Sequence, residues 1–284
     1  MAEGSLAAAR ALLYLLLMTA AGLPLYRLCD GGRSFSGRAR GGLVALAVLA
    51  LLTSLWWTLA AIASMAALPI GALDGATVQA VLDATPLGLL LWVRVGALAG
   101  FALAALVLPR PAVLALAGAI ALASIAWSGH AGAAEGMSGT LHRMADVSHL
   151  LAAALWLGAL FAFLAAGLRG RFDIGSLGRF ARIGTVVVAV LVVTGTANAL
   201  FITGVSGWSV RSPWTLLIAA KIGLFCAMLG FAAHNRWRLV PAAEIAPVQT
   251  RPRLMRSLML ETACALLILV LIAFAGTLDP SGAA

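Results

Sequence analysis

The sequence predicts an all-α polytopic membrane protein, a bundle of eight transmembrane helices. Of its 284 residues, 63% are hydrophobic and only 10% are charged, which is more apolar surface than a water-soluble domain can bury. Apolar runs of roughly 20 residues recur along the chain, the length at which a helix crosses a bilayer. These runs are too long for barrel strands, so helices satisfy the backbone in lipid. We expect a single transmembrane domain over residues 1–284.

The predicted spans are separated by segments rich in Gly, Pro and Arg, which interrupt apolar helices. The first span is followed by CDGGRSFSGRARGG, the third by PRP and the fifth by RGRFDIGSLGR. The first apolar stretch is long and lacks a basic leading region, so we interpret it as a span and not as a cleavable signal peptide. The eight spans are residues 6–27, 42–67, 87–108, 112–130, 142–168, 180–204, 213–235 and 254–278.

Arginine predicts the orientation of these spans. Fourteen arginines lie in or beside the loops on one side of the membrane, and three lie on the other side. The positive-inside rule makes the first side cytoplasmic. Both termini and the loop between the fourth and fifth spans are then periplasmic.

Several functional classes are disfavoured by the sequence. The net charge of +9 does not indicate nucleic acid, because membrane topology already explains the loop arginines. Cys29, Cys226 and Cys264 form no CxxC motif, so no disulfide framework is expected. We find no nucleotide-binding loop and no nucleophile placed beside a base, so we expect neither an ATP-driven pump nor an enzyme.

A histidine stripe is predicted at the periplasmic end of the fifth span. Three of the four histidines lie within about twenty residues of each other, where the fourth and fifth spans meet at a polar loop. On a helix over residues 142–168, His142, Asp146 and His149 stand at i, i+4 and i+7 and share one face. Trp156 continues this stripe two turns further along.

The types of residue near this stripe favour copper. His130 ends the preceding span, so it can approach His149 at the membrane surface. Imidazole binds copper as Cu(I) or Cu(II), and thioether sulfur favours Cu(I). Met144 points away from the stripe by helical geometry, so it is a weaker candidate than the histidines. The predicted metal ligands are His130, His142, His149, Met137 and Met144.

Asp146 is expected to support this metal site and not to bind the ion itself. A carboxylate beside a ligating histidine accepts its N–H and fixes the ring, or it neutralises the cation. The alternative is that the histidines only bond to loop backbone. Three clustered histidines, with a carboxylate on the same helical stripe, favour a metal or a cofactor.

Polar residues are also predicted inside the bilayer. Lys221, the only lysine, lies in the seventh span, Asn198 lies in the sixth at a comparable depth, and Glu261 lies in the eighth nearer the cytoplasm. Such groups are costly in lipid and usually face the bundle interior. They form either a polar path, or its gate, or an interhelical hydrogen-bond network. Arg94, near the outer end of the third span, is expected to snorkel to the interface.

The second half of the chain resembles the copper-resistance protein D (CopD) family of bacterial inner membranes. The matching motifs are D-x-x-H-x6-W-x-G from Asp146 to Gly158, TGTANAL at 194–200, AK…NR…P from Lys221 to Pro241, and the late Glu261. The first four spans match mainly in layout. The resemblance implies an eight-helix copper protein. It would take copper from a periplasmic carrier of the CopC type and move it toward the cytoplasm.

Two other functions stay open. A membrane redox protein could hold haem b between His130 and His149 as axial ligands, although crowding of the histidines at one surface counts against this. A protein that binds copper without transporting it, as a sensor or an assembly partner, has the same sequence signature. We rank copper transport first, haem binding second and copper binding alone third.

Overall fold

The chain is an all-α polytopic membrane protein, as the sequence predicts. In the described part of the chain, seven helices are long and apolar enough to cross a membrane, and there is no strand. The computed structural model describes residues 2–32, 34–128, 132, 135–171, 173–204, 208–209 and 212–278.

The α-helices of these residues are numbered here in chain order. They are α1 (Ala2–Cys29), α2 (Gly37–Met65), α3 (Gly75–Ala84), α4 (Leu87–Val107), α5 (Pro111–Ala123), α6 (Gly136–Leu168), α7 (Ile174–Thr203), α8 (Pro213–His234), α9 (Val240–Ile245) and α10 (Pro247–Ala275).

Seven of the predicted spans coincide with the seven long helices. The fourth, predicted over 112–130, corresponds to the shorter apolar helix α5, which a 3-10 turn extends over Ser124–Trp127. His130, at the predicted end of that span, lies outside the described residues. The count of eight membrane crossings therefore stays a prediction.

Several helices extend beyond their apolar segments. α6 begins at Gly136 and α10 at Pro247, about two turns before the predicted starts, because a helix continues through polar interfacial residues that hydropathy excludes. The sequence did not predict α3, whose first turn is capped by Asp74 accepting a hydrogen bond from the Thr77 N–H at 2.7 Å. A π-helical turn, Asn235–Leu239, connects α8 to α9.

α1 lies at the centre of the bundle and packs against α2, α5, α6 and α10. Glycines allow the closest of these contacts. A Cβ atom on Gly158 of α6 would collide with the backbone of Gly22, and one on Gly118 would lie 2.7 Å from the Ala20 carbonyl oxygen. Small residues at such positions let helix backbones approach each other in lipid. The glycine of the W-x-G motif therefore has a packing role.

α7 and α8 flank a groove along the other side of the bundle. α7 packs on α6, and α8 packs on α10, whereas the described residues of α7 and α8 make almost no direct contact with each other. α6 and α10 contact each other and form the floor of the groove. The predicted polar residues His149, Trp156 and Glu261 all lie on these two floor helices.

Candidate functional site

A chamber of about 410 Å³ lies at the end of the bundle where α6 begins; we call it the outer chamber. His142, Asp146 and His149 all line it, which confirms that their helical spacing places them on one face. His142 is buried at 3% exposure, and its ring stacks on Phe201 with the ring centroids 5.0 Å apart. The histidine stripe thus faces the interior of the bundle and not lipid.

His149 reaches across to α7. Its Nδ1 lies 3.0 Å from Thr194 Oγ1, and the Thr194 hydroxyl donates its single proton to the Val190 carbonyl oxygen at 2.6 Å. With that proton committed, the hydroxyl accepts a hydrogen bond from the Nδ1–H of His149. The ring fits here because residue 195 is glycine, whose Cβ substitute would lie 3.2 Å from His149 Cε1. An imidazole that donates through Nδ1 binds a metal through its other nitrogen, Nε2.

The other polar residues of the chamber come from α7 and α8. Asn198 Nδ2 donates to Asp146 Oδ1 at 3.2 Å, and Lys221 also lines the chamber. Two of the three predicted intramembrane polar residues therefore meet the histidine stripe. Asp146 therefore accepts a hydrogen bond from an amide, whereas the sequence predicted that it accepts one from an imidazole N–H.

The remaining predicted ligands are not gathered at the chamber. Met137 and Met144 are 76% and 62% exposed, and neither lines the chamber. Over the residues that the structure describes, no group of three or more His, Cys, Asp or Glu side chains could hold a metal ion. Because His130 is outside those residues, the copper site stays a prediction.

Two further cavities continue from the outer chamber along the groove. A middle cavity of about 430 Å³ shares His149 and Lys221 with the outer chamber. An inner cavity of about 460 Å³ shares Trp156 with the middle one and is also lined by Arg236. The three cavities form a row from one end of the bundle to the other.

A hydrogen-bonded cluster lines the inner cavity and reaches the middle cavity through Trp156. Trp156 Nε1 donates to Glu261 Oε1 at 2.7 Å, and Asn235 Nδ2 donates to Glu261 Oε2 at 3.1 Å. Glu261 is 3% exposed, and Asn235 begins the π-helical turn, a local break that often marks functional positions. These three residues come from three separate motifs of the sequence, so the fold brings those motifs together.

The structure adds residues that the sequence reasoning missed. Arg10 and Tyr14, one turn apart on α1, line the outer chamber, but Arg10 was used only to predict topology. Thr194 is the first residue of the TGTANAL segment, so the motif that contains it was recognised, but no role was predicted for it. The snorkelling expected of Arg94 is wrong: its side chain is 0% exposed, and its Nε donates to Ser124 Oγ at 2.9 Å.

Comparison with known proteins identifies the family. The family model of the Copper resistance protein D-like N-terminal domain matches residues 1–140, and that of Copper resistance protein D matches residues 174–275. Copper resistance protein D of Pseudomonas syringae pv. tomato is 37% identical over 216 residues, which cover 69% of each chain. The chain belongs to the copper-resistance protein D family.

A second relative agrees with this assignment. Inner membrane protein YebZ of Escherichia coli (strain K12) is 32% identical over 209 residues, or 71% of each chain. No solved structure matches the chain. As a member of the copper-resistance protein D family, the chain is a multi-pass inner-membrane protein with a copper-related function.

Proposed function

We propose that this protein binds copper in the outer chamber at the periplasmic face and passes it along the groove toward the cytoplasm. The observation that carries the proposal is the position of His149, which is held by Thr194 and lines both the outer chamber and the middle cavity. A metal ligand at that junction is in position to receive an ion from one cavity and release it into the next.

The proposed direction depends on the placement of charge. The histidine end of the bundle lies opposite the end that carries Arg236 and Arg238, and the positive-inside rule makes the arginine-rich end cytoplasmic. A soluble copper carrier of the CopC type would then meet the protein at the mouth of the outer chamber. The exposed thioethers of Met137 and Met144 stand at this end and suit transfer of Cu(I).

The proposed coordination combines ligands from α6 with one from the preceding segment. His149 and His142 supply imidazoles from the chamber wall, and His130 is the proposed third. Asp146 offsets part of the metal charge. Beyond this site, Trp156 lines both the middle and the inner cavity, and it donates to the buried carboxylate of Glu261, which lines the inner one. We propose this pair as the gate of the inward path.

Copper binding is tested by metal analysis of purified protein. His149→Ala removes the imidazole at the junction of the two cavities and should lower the copper bound per chain. His234→Ala is the matched control, because His234 is exposed at the end of α8 and is not among the described residues that line the chamber. Equal copper content in wild type and His149→Ala would refute the proposed site.

Transport is tested by copper flux into sealed vesicles containing the protein. Repeated turnover that falls in His149→Ala and in Glu261→Gln supports passage through the groove. Uptake that stops at a stoichiometric amount would instead support the binding-only function, which the same site permits.

A haem-binding redox protein is the second candidate. The middle cavity is mostly apolar, and the His149 imidazole lines its wall, so a flat apolar cofactor with one axial imidazole suits its chemistry. Among the described residues, His149 is the sole histidine lining it. A Soret band in the visible spectrum of purified protein, lost in His149→Ala, would support haem, and a colourless preparation would exclude it.

A further inference from the structure

The outer chamber is lined by more positive charge than a site for a bare metal cation should have. Arg10 from α1 and Lys221 from α8 both line it, and Asp146 is the only carboxylate among its described lining residues. Asp146 is hydrogen-bonded to Asn198 and attracts Lys221 only from beyond ion-pair distance. In the described parts of the chain, neither Arg10 nor Lys221 makes a hydrogen bond or an ion pair.

A third cation lies directly behind the chamber wall. Arg94 is fully buried, and its guanidinium lies 5.3 Å from the ring centroid of Trp57, which lines the chamber. Its Nε bonds to Ser124, but its Nη1 and Nη2 atoms have no hydrogen-bond partner in the described structure. In a medium of low dielectric constant, this charge adds to the positive potential inside the chamber.

This arrangement disfavours a bare copper ion and favours an anion. Cations inside a membrane protein are normally paired with carboxylates or with a bound ligand, because an unpaired charge in lipid is costly. A positive ion entering beside Arg10 and Lys221 is repelled by both. A volume of about 410 Å³ also far exceeds that of one metal ion and matches a ligand of several atoms.

We propose that the outer chamber receives copper together with a small anionic ligand, with the anion held by Lys221 and Arg10 and the metal bound by His149. This inference rests on the proposed function for the metal and adds the chemical class of the species that enters. A halide, a carboxylate or a thiolate on copper has the required charge. Asp146 then faces the metal, while Lys221 and Arg10 face the anion that is bound to it.

The test measures copper affinity of the purified protein in lipid nanodiscs at constant ionic strength. Perchlorate, which coordinates copper poorly, is replaced by bromide or by acetate, and free copper is fixed with a calibrated chelator. In wild type the copper affinity should rise about tenfold in the coordinating anions. This change corresponds to the interaction energy of one partly screened ion pair. X-ray absorption of the bromide sample should show a bromide bound to copper.

Two substitutions locate the anion. Lys221→Met should abolish the rise in affinity, and Lys221→Arg should keep it because the charge remains. Arg238→Met is the matched control, since Arg238 is exposed on the π-helical turn outside the chamber, and it should behave as wild type. If Lys221→Met does not fold, Arg10→Gln makes the same test from α1.

The outcomes separate this inference from the proposed function. Copper binding that is equally tight in all three anions overturns the anionic companion and leaves the copper site standing. A protein that binds no copper in any anion overturns the proposed function. In that case bromide binding to the metal-free protein decides the anion site alone: loss in Lys221→Met supports it, and absence in wild type overturns it.

Discussion

The orientation of the His149 ring is set by a neighbour on another helix. Thr194 has one hydroxyl proton, which it gives to the Val190 carbonyl oxygen, so it accepts the Nδ1–H of His149 and leaves Nε2 for a metal. Groups that orient a ligating imidazole typically affect metal affinity by about 10–100-fold. Thr194 therefore controls the candidate ligand without touching the metal.

Thr194→Val should lower the copper affinity of the purified protein about tenfold. The valine keeps the shape of the side chain but removes the acceptor, so the imidazole loses its fixed orientation. Chelator competition measures the affinity. Thr203→Val is the control, because Thr203 bonds only to backbone carbonyl oxygens at the end of α7. Equal affinities in the two variants would show that Thr194 does not position His149.

Glu261 depends on two side-chain donors. Trp156→Phe removes one of them and leaves a buried carboxylate oxygen without its partner, which costs about 1–3 kcal/mol of stability. Unfolding of the detergent-solubilised protein should therefore occur at a lower denaturant concentration. Trp237→Phe, at a position that is 69% exposed, should unfold like wild type. An unchanged Trp156→Phe midpoint would mean that the bond contributes little to folding.

At the scale of helices, the contact between α1 and α6 depends on two glycines. Gly158→Ala introduces a methyl group where the backbone of Gly22 already lies, so the two helices must separate. Overpacking of this kind costs about 1–3 kcal/mol, and the unfolding midpoint should fall. The histidine stripe on α6 would move with its helix, so copper binding should weaken in the same variant.

Gly223→Ala on α8 provides the control for the α1–α6 contact. Nothing lies within 4 Å of a Cβ built at this position, and alanine forms helix better than glycine. The stability of this variant should equal or slightly exceed that of wild type. A loss equal to that of Gly158→Ala would show that any methyl group on these helices is destabilising, and it would contradict the specific contact.

The helix boundaries show what hydropathy measures. The predicted fifth span began at residue 142, yet α6 begins at Gly136, so His142 lies in its second turn. The stripe was still correct, because its face depends on helical period and not on where the helix begins. The π-helical turn at Asn235 was not predicted, because hydropathy does not report the hydrogen-bonding pattern within a single turn.

For the whole molecule, the orientation in the membrane is the prediction that decides the direction of transport. In a variant whose three native cysteines are replaced by alanine, Met137→Cys and Trp237→Cys place single thiols at opposite ends of the bundle. Both parent side chains are exposed, at 76% and 69%. A membrane-impermeant maleimide added to intact spheroplasts should label the first and not the second. The reverse pattern would invert the orientation and contradict uptake from the periplasm.

The groove and its row of cavities belong to the molecule as a whole. α7 and α8 each pack on a floor helix and hardly on each other, so the space between them extends along the bundle. His149 and Lys221 sit where two cavities meet, and Trp156 sits where the next two meet. No single helix carries this arrangement, so no sequence segment predicted it.

The sequence alone determined the class of fold, seven long spans and the face that carries His142, Asp146 and His149. Hydropathy and helical period are local properties, so a single segment is enough to reveal them. Only the tertiary structure showed that Thr194 bonds to His149 and that Arg10 shares a chamber with Lys221. It also joined Trp156 to Glu261, 105 residues away. Such contacts depend on which helices pack together, and that is fixed by surfaces far apart in the chain.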